Sequence, residues 1–198
     1  MKKETTTAYP INTLIENRWS PRVFGKEAIS EEQLRVLFEA GRWAPSSNNH
    51  QPWVIIWGIK GTEAYDRIYS CLDEFNQSWA NNAQALMLGG YKKTIPDGRD
   101  NFHALHDLGL FMGNVSVQAQ QLGIALHQMA GVNYKKAMTE FAMPDNYHIA
   151  TATAIGYYGG DLDKLSDDLQ EEETKLRSRK SQHSFTFNGD FNEQIFEK

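Results

Sequence analysis

The chain has a single cysteine, Cys71, among its 198 residues, so it can form neither an internal disulfide nor a cysteine-only metal site. No apolar run approaches the ~18 residues of a membrane span, and the opening MKKETTTAYP lacks the apolar core of a secretion signal. The formal charge of −5 and the pI near 5.7 argue against a general nucleic-acid-binding protein, because contacts with phosphates need a basic face. These absences predict a cytoplasmic protein without a membrane or nucleic-acid partner.

Familiar catalytic and nucleotide-binding motifs are also missing. The sequence contains no GxGxxG or GxxxxGK[ST] phosphate loop, no GxSxG nucleophile turn and no HExxH metal pair. His103 and His106 stand three residues apart and could share a metal, but we prefer the interpretation as a plain helical pair and predict no metal site. Cys71 has no basic cluster beside it and is interpreted as a small packed residue.

The hydrophobic pattern alternates helices with strands over 1–160. Ser30 and Gln33 form a capping-box pattern before one helix, and the run WVIIWGI, Trp53 to Ile59, predicts a strand buried on both faces. After that strand, Thr62 can cap a further helix. A second buried strand is expected over Ala83 to Tyr91, and further strands over IALHQMAG and HIATATAIGYYGG. The longest helix carries one apolar seam, formed by Leu105, Leu108, Met112, Val115, Ala119 and Leu122. Two glycines on the same helix, Gly109 and Gly113, would allow close approach of another backbone.

Residues 161–198 differ in character. An acidic stretch followed by a basic one predicts a solvated helix that leads into an exposed segment. The four phenylalanines in HSFTFNGDFNEQIF then require a surface to pack on. We therefore predict one domain, 1–160, with a C-terminal extension, 161–198.

Two polar features remain to be explained. The run SSNNHQ, between Pro45 and the first strand, is either a solvated turn or a binding loop held at the edge of a rigid scaffold. Arg18 and Arg22 near the start, and Arg177 and Arg179 near the end, are either surface patches or two halves of a phosphate site, since guanidinium groups match phosphate geometry.

Four segments in this order resemble the FMN-dependent nitroreductase family: RWSPRVF, APSSNNHQPW, LGIALHQMAG and RSRK. The resemblance implies an α+β fold with a central mixed, mainly antiparallel sheet flanked by helices. It also implies an intertwined homodimer, with FMN bound between the subunits and the C-terminal extension wrapped around the partner.

The same resemblance implies roles for individual residues. Arg18, Ser20, Arg177 and Arg179 would hold the FMN phosphate, and Arg22 would reach either the phosphate or the pyrimidine edge of the ring. Backbone amides at Ala130 and Gly131 would lie near the reactive flavin nitrogen, and no side chain would act as a catalyst. The remaining cofactor contacts are Trp19, Pro45, Ser46, Ser47, Asn49, Gln51, Asn76, Gln128 and Met129, with the 45–49 stretch contributed by the partner. Many relatives carry an acidic residue at the position of Ala130 and a basic one near that of Trp79.

The implied activity is a ping-pong transfer of hydride from NADH or NADPH, a transient visitor, through FMN to a nitroaromatic, quinone or related electron-poor acceptor. Two alternatives stay open at this point. The scaffold could run another flavin reaction, such as enone reduction or dehalogenation, or the protein could bind flavin without turnover.

Overall fold

The structure is a computed structural model that describes residue 3 and residues 5–191. Predictions that concern the remaining positions, among them Phe196 of the C-terminal segment, lie outside the described residues. The helices are α1 (Thr13–Asn17), α2 (Glu31–Arg42), α3 (Glu63–Ser70), α4 (Glu74–Ala80), α5 (Ala104–Gln121), α6 (Tyr134–Glu140) and α7 (Asp167–Thr174), and the strands are β1 (Trp53–Ile59), β2 (Ala85–Lys92), β3 (Ile124–Met129) and β4 (Tyr147–Tyr157).

The four strands form one sheet in the order β1-β2-β4-β3. Each neighbouring pair is antiparallel, and a bulge between Gly89 and Gly90 shifts the register of β2 against β4. The predicted α+β class is confirmed. Within the described residues, however, the sheet is antiparallel throughout rather than mixed.

Alternate residues of the strands supply two hydrophobic cores, one on each face of the sheet. On β2, Leu86 and Leu88 pack towards α3, α4 and α6, whereas Ala85 and Met87 pack towards α2 and α5. The domain therefore has three layers, with helices on both sides of the sheet. No helix in the described part of the chain is long and apolar enough to cross a membrane.

The local end signals of the helices are confirmed. The Ser30 hydroxyl accepts from the Gln33 backbone N–H while the Gln33 side chain accepts from the Ser30 N–H, which completes the predicted capping box. Thr62 caps α3 through the Tyr65 N–H. Capping satisfies backbone donors that the first turn of a helix leaves unpaired, so both helices begin where their sequences predict.

The prediction that β1 is buried on both faces is wrong. β1 is an edge strand, and of its seven residues only Gly58 is fully buried. A run of aromatic and β-branched residues favours a strand, but it does not distinguish a central position from an edge. Trp53 and Trp57 nevertheless pack against the α2 and α5 core, which explains the apolar sequence.

The apolar seam of α5 is confirmed only in its middle. Leu108, Met112, Val115 and Ala119 are buried, whereas Leu105 is 56% exposed and Leu122 is 38% exposed. The two glycines, Gly109 and Gly113, lie on the outer face, where an added methyl group would meet nothing within 4 Å. The outer face of α5 therefore has room for another backbone, but no segment of the described chain occupies it.

The acidic helix α7 is not fully solvated as predicted, because Glu173 is only 1% exposed. In the segment that follows, Phe185 is 59% and Phe191 is 68% exposed, and the Phe187 and Phe191 rings lie 5.1 Å apart. Packing of this segment on a partner subunit stays a prediction.

Candidate functional site

Arginines from both ends of the chain meet beside β3. Arg177, after α7, donates from Nη1 to the Arg18 carbonyl at 2.6 Å and from Nη2 to the Glu16 carbonyl at 2.6 Å. Burial lowers the Arg177 pKa, and the nearby charges of Arg18 and Arg179 lower it further. Three cations gathered at one place repel one another unless an anion joins them, so the arrangement favours an anionic ligand.

The donor set of this cluster fits a phosphate group. Among the described residues, Nε of Arg22 and Nε of Arg177 are buried and have no hydrogen-bond partner. Buried donors without partners are uncommon in folded proteins and often mark a place for an ion or a ligand. Ser20 adds an exposed hydroxyl, 3.4 Å from Arg18 Nη1. Arg177 has both Nη atoms committed to backbone carbonyls, which leaves its Nε for a ligand.

Glu173 fixes the backbone of the arginine segment. Its two carboxylate oxygens accept from the Arg22 backbone N–H at 2.9 and 3.0 Å. Burial raises the Glu173 pKa, while the N–H groups of Arg22 and Val23 and the charge of Lys3 act in the opposite direction. The sequence pattern did not reveal this residue, because one glutamate in an acidic helix looks like its solvated neighbours.

His127 on β3 supports the same segment from the other side. Its Nδ1 lies 2.9 Å from the Pro21 carbonyl oxygen, which can only accept, so Nδ1 carries the proton. Its ring lies against the Trp79 ring, with the centroids 4.5 Å apart and the planes tilted by 37°. Burial is the main reason that the His127 pKa falls to about 4, and the charges of Arg22 and Arg18 add to the effect. His127 is therefore neutral at pH 7; it lies within the segment LGIALHQMAG, but the resemblance implied no role for it.

Trp19 anchors the first residues of this segment. The ring is 6% exposed, lies 5.7 Å from the Tyr158 ring and is covered by the Lys3 ammonium at 4.4 Å. The Tyr158 hydroxyl donates to Gln120 Oε1 at 2.8 Å, which ties the arginine cluster to the C-terminal end of α5. The side chain of Trp19 thus belongs to the packing beneath the cluster.

The backbone at Ala130 and Gly131 follows directly after β3. The Gly131 carbonyl accepts from the Asp73 N–H and from Asn76 Nδ2, both at 3.1 Å. A methyl group on Gly131 would collide with the Asp73 carboxylate and the Asn76 amide, so both side chains would have to shift to accommodate any larger residue. The contact joins the end of β3 to the start of α4. Trp79, further along α4, is fully buried.

The polar loop 46–51 is a tight, strained turn. Asn48, Asn49 and Gln51 all have positive φ, at 47°, 56° and 47°, which is unusual for residues other than glycine. The Ser46 hydroxyl accepts from the Gln51 N–H at 3.0 Å, and Gln51 Nε2 donates to Asn49 Oδ1 at 3.0 Å. Strain that the surroundings maintain is typical of binding loops.

Asp107 on α5 holds this loop to the scaffold. Its Oδ2 accepts from the Ser47 N–H at 3.1 Å, and the residue is 1% exposed. Asp107 and Gln120 lie near opposite ends of α5, about 20 Å apart along its axis at ~1.5 Å per residue. Within one chain, the loop 46–51 and the arginine cluster are therefore well separated.

The structure thus brings the predicted phosphate-binding arginines together, and it separates them from the predicted binding loop 46–51. The buried residues of the predicted set are Trp19, Asn76 and Met129, the half-buried ones are Arg18, Arg22, Ser46, Ser47, Gly131 and Arg177, and the exposed ones are Ser20, Pro45, Asn49, Gln51, Gln128, Ala130 and Arg179. Within the described ranges, no three potential histidine, cysteine or carboxylate ligands are grouped closely enough to hold a metal ion.

One family model and several known proteins are similar to this chain. The family model described as Nitroreductase family matches residues 15–74 and 59–157. A solved oxidoreductase containing FMN is 31% identical, with a TM-score of 0.87 over 94% of this chain and 96% of its own. A candidate nitroreductase from Desulfovibrio desulfuricans, solved in complex with FMN, is 22% identical, with a TM-score of 0.70 over 94% and 100% of the two chains. An Archaeoglobus fulgidus protein named as a candidate NADH dehydrogenase/NAD(P)H nitroreductase is 26% identical, over 73% of this chain and 83% of its own.

Proposed function

The chain belongs to the nitroreductase family, and on this premise we propose that it is an FMN-dependent oxidoreductase that uses NADH or NADPH to reduce nitroaromatics, quinones or related acceptors. One observation carries the proposal. Arginines from both ends of the chain converge beside β3, and two of them keep buried Nε donors without a partner among the described residues. A dianionic phosphate such as that of FMN would satisfy both donors.

The chain's own residues then have distinct tasks. Arg18, Ser20 and Arg22 bind the phosphate, and Arg177 both contributes Nε and holds the Arg18 backbone in place. Glu173 and the neutral His127 hold the two polar atoms of one peptide group, the Arg22 N–H and the Pro21 carbonyl oxygen. A preformed anion site of this kind loses little ordering entropy when the ligand binds.

FMN, when bound, supplies the two-electron relay between reductant and acceptor. No general acid or base is assigned to a side chain, because the protein's task is orientation and electrostatics. The Ala130–Gly131 backbone is held against α4 and cannot drift, and we place the reacting end of the cofactor there. The two substrates occupy the same face in turn, as a ping-pong reaction requires.

We further propose that the site is completed by a second copy of the chain. Two features support a homodimer. The loop 46–51 lies about 20 Å along α5 from its own arginine cluster, and the outer face of α5 presents Leu105, Gly109, Gly113 and Val117 to solvent. Small residues at four-residue spacing permit close helix packing, which brings the loop of one subunit to the arginines of the other. The extension 161–198 would then lie along the partner.

The first experiment is an FMN titration followed by anaerobic rapid mixing. We expect a yellow protein whose flavin band bleaches with NADH or NADPH and is restored by a nitroaromatic or a quinone. Arg18→Gln and Arg22→Gln should each weaken FMN binding about 10- to 100-fold, since a charge-assisted hydrogen bond contributes ~1.5–3 kcal/mol. Arg35→Gln, an exposed arginine on α2, is the matched control. Full flavin occupancy in both site variants would refute the phosphate assignment.

Sedimentation velocity tests the shared site separately. Gly113→Glu places a charge on the outer face of α5, where the isolated chain has free space, so the fold should survive while dimer and flavin are lost. Val36→Glu, at an exposed position on α2, should leave both intact. A monomer that still holds FMN would contradict the proposal.

A further inference from the structure

A pocket of about 240 Å³ lies beside the loop 46–51, at the end of the sheet where β1 begins and β2 ends. Its apolar walls include Trp53 and Tyr147, and its polar groups include Gln51, Lys92 and Asn101. A cavity of ~150 Å³ accommodates benzene. The volume therefore suits one aromatic ring that carries a small substituent.

The walls of this pocket are held in place by the backbone. The Lys92 N–H donates to the Pro52 carbonyl at 2.8 Å, and the Asn101 N–H donates to the Lys93 carbonyl at 2.6 Å. The Trp53 ring packs on Phe111 at 5.3 Å, so it cannot fold into the cavity. The pocket is thus formed before any ligand arrives.

The polar groups point to the chemistry of the occupant. Asn101 is 9% exposed, and its Nδ2 is buried without a hydrogen-bond partner in the described ranges. Lys92 forms no ion pair among the described residues, whereas the nearby Asp97 is already bound to Arg99 at 2.6 Å. An unused amide donor and an unpaired cation beside aromatic walls match a planar ring that carries an anionic group and an acceptor oxygen.

We propose that this pocket binds single-ring aromatic carboxylates, with the ring near Trp53 and Tyr147, the carboxylate near Lys92 and a further oxygen accepting from Asn101. The pocket shares Gln51 with the loop that the proposed function assigns to the flavin site. On that basis, and resting on the proposed function, the pocket selects acidic nitroaromatic acceptors over uncharged ones.

Two measurements on the flavin-loaded protein test this assignment. Calorimetric titration with benzoate, which cannot be reduced, reports binding alone, and steady-state kinetics compare 4-nitrobenzoate with nitrobenzene. We expect benzoate to bind at millimolar concentration or below, and the KM for 4-nitrobenzoate to be at least tenfold lower than that for nitrobenzene. Lys92→Gln should weaken benzoate binding at least fivefold and narrow the difference between the two KM values by a similar factor.

Matched variants separate the possible results. Lys26→Gln removes an exposed lysine before α2 and should change neither quantity. Asn101→Leu keeps the branching of the side chain but removes its polar atoms, and it should raise the KM for 4-nitrobenzoate. Benzoate binding should stay the same in this variant, because benzoate has no oxygen beyond its carboxylate. Equal benzoate affinity in Lys92→Gln and wild type, or no binding at 10 mM, would overturn the proposal. If the purified protein takes up no FMN, the proposed function fails, yet the benzoate titration still decides the pocket.

Discussion

The neutral, half-buried His127 should make the fold sensitive to acid. Its pKa is lowered from 6.5 to about 4 in the folded protein. Between these values the unfolded chain binds a proton that the folded chain does not, so stability falls as the pH drops. At pH 5 the loss relative to pH 7 is about 2 kcal/mol, because one pKa unit is worth ~1.4 kcal/mol. Below pH 4 both states are protonated and the loss reaches its limit.

Urea unfolding at pH 7 and pH 5 measures this effect in wild type and in His127→Asn. Asparagine can donate to the Pro21 carbonyl as Nδ1 does, but it does not titrate, so the variant should lose about 2 kcal/mol less than wild type on acidification. Because all other titrating groups are the same in the two proteins, their contributions to the pH dependence cancel in the comparison. An equal pH dependence in the two proteins, or an NMR titration of the His127 ring near pH 6.5, would refute the reasoning.

Three further predictions concern the scaffold of the site. Gly131→Ala should destabilise the fold by ~1–3 kcal/mol because the added methyl collides with Asp73, and an unchanged urea midpoint would contradict this. Ser30→Ala removes the α2 cap and should cost ~1 kcal/mol, visible as a lower midpoint with the same denaturant slope. Asp107→Ala should speed hydrogen exchange at the Ser47 amide, because it removes the buried carboxylate that accepts from this amide, an interaction that contributes ~1.5–3 kcal/mol. Unchanged exchange would mean that the loop keeps its conformation without Asp107.

Local features could be predicted because they depend on neighbours in the sequence. The capping box at Ser30, the cap at Thr62 and the bounds of β1 at Trp53 and Ile59 all agree with the structure. For the two caps the deciding interaction joins residues three positions apart, and for β1 the run of aromatic and β-branched residues marks the segment. Composition and pattern therefore suffice for elements of this kind.

The supports of the site could not be predicted in this way. Glu173 acts on Arg22, His127 on Pro21, and Asp107 on Ser47, and each pair is far apart in the sequence. The residues that flank a buried glutamate in the sequence do not differ from those that flank a solvated one. Only the folded backbone brings such partners within hydrogen-bond distance.

The sequence by itself determined the alternation of helices and strands, the capped ends and the four segments that resemble the family. Only the tertiary structure decided that β1 lies at the edge of the sheet and that the outer face of α5 is left uncovered. It also decided that the arginines of the two chain ends meet beside β3 while the polar loop lies about 20 Å away along α5. The physical reason is range: caps and periodicity act over a few residues, whereas edge position, burial and charge convergence arise from packing between distant segments.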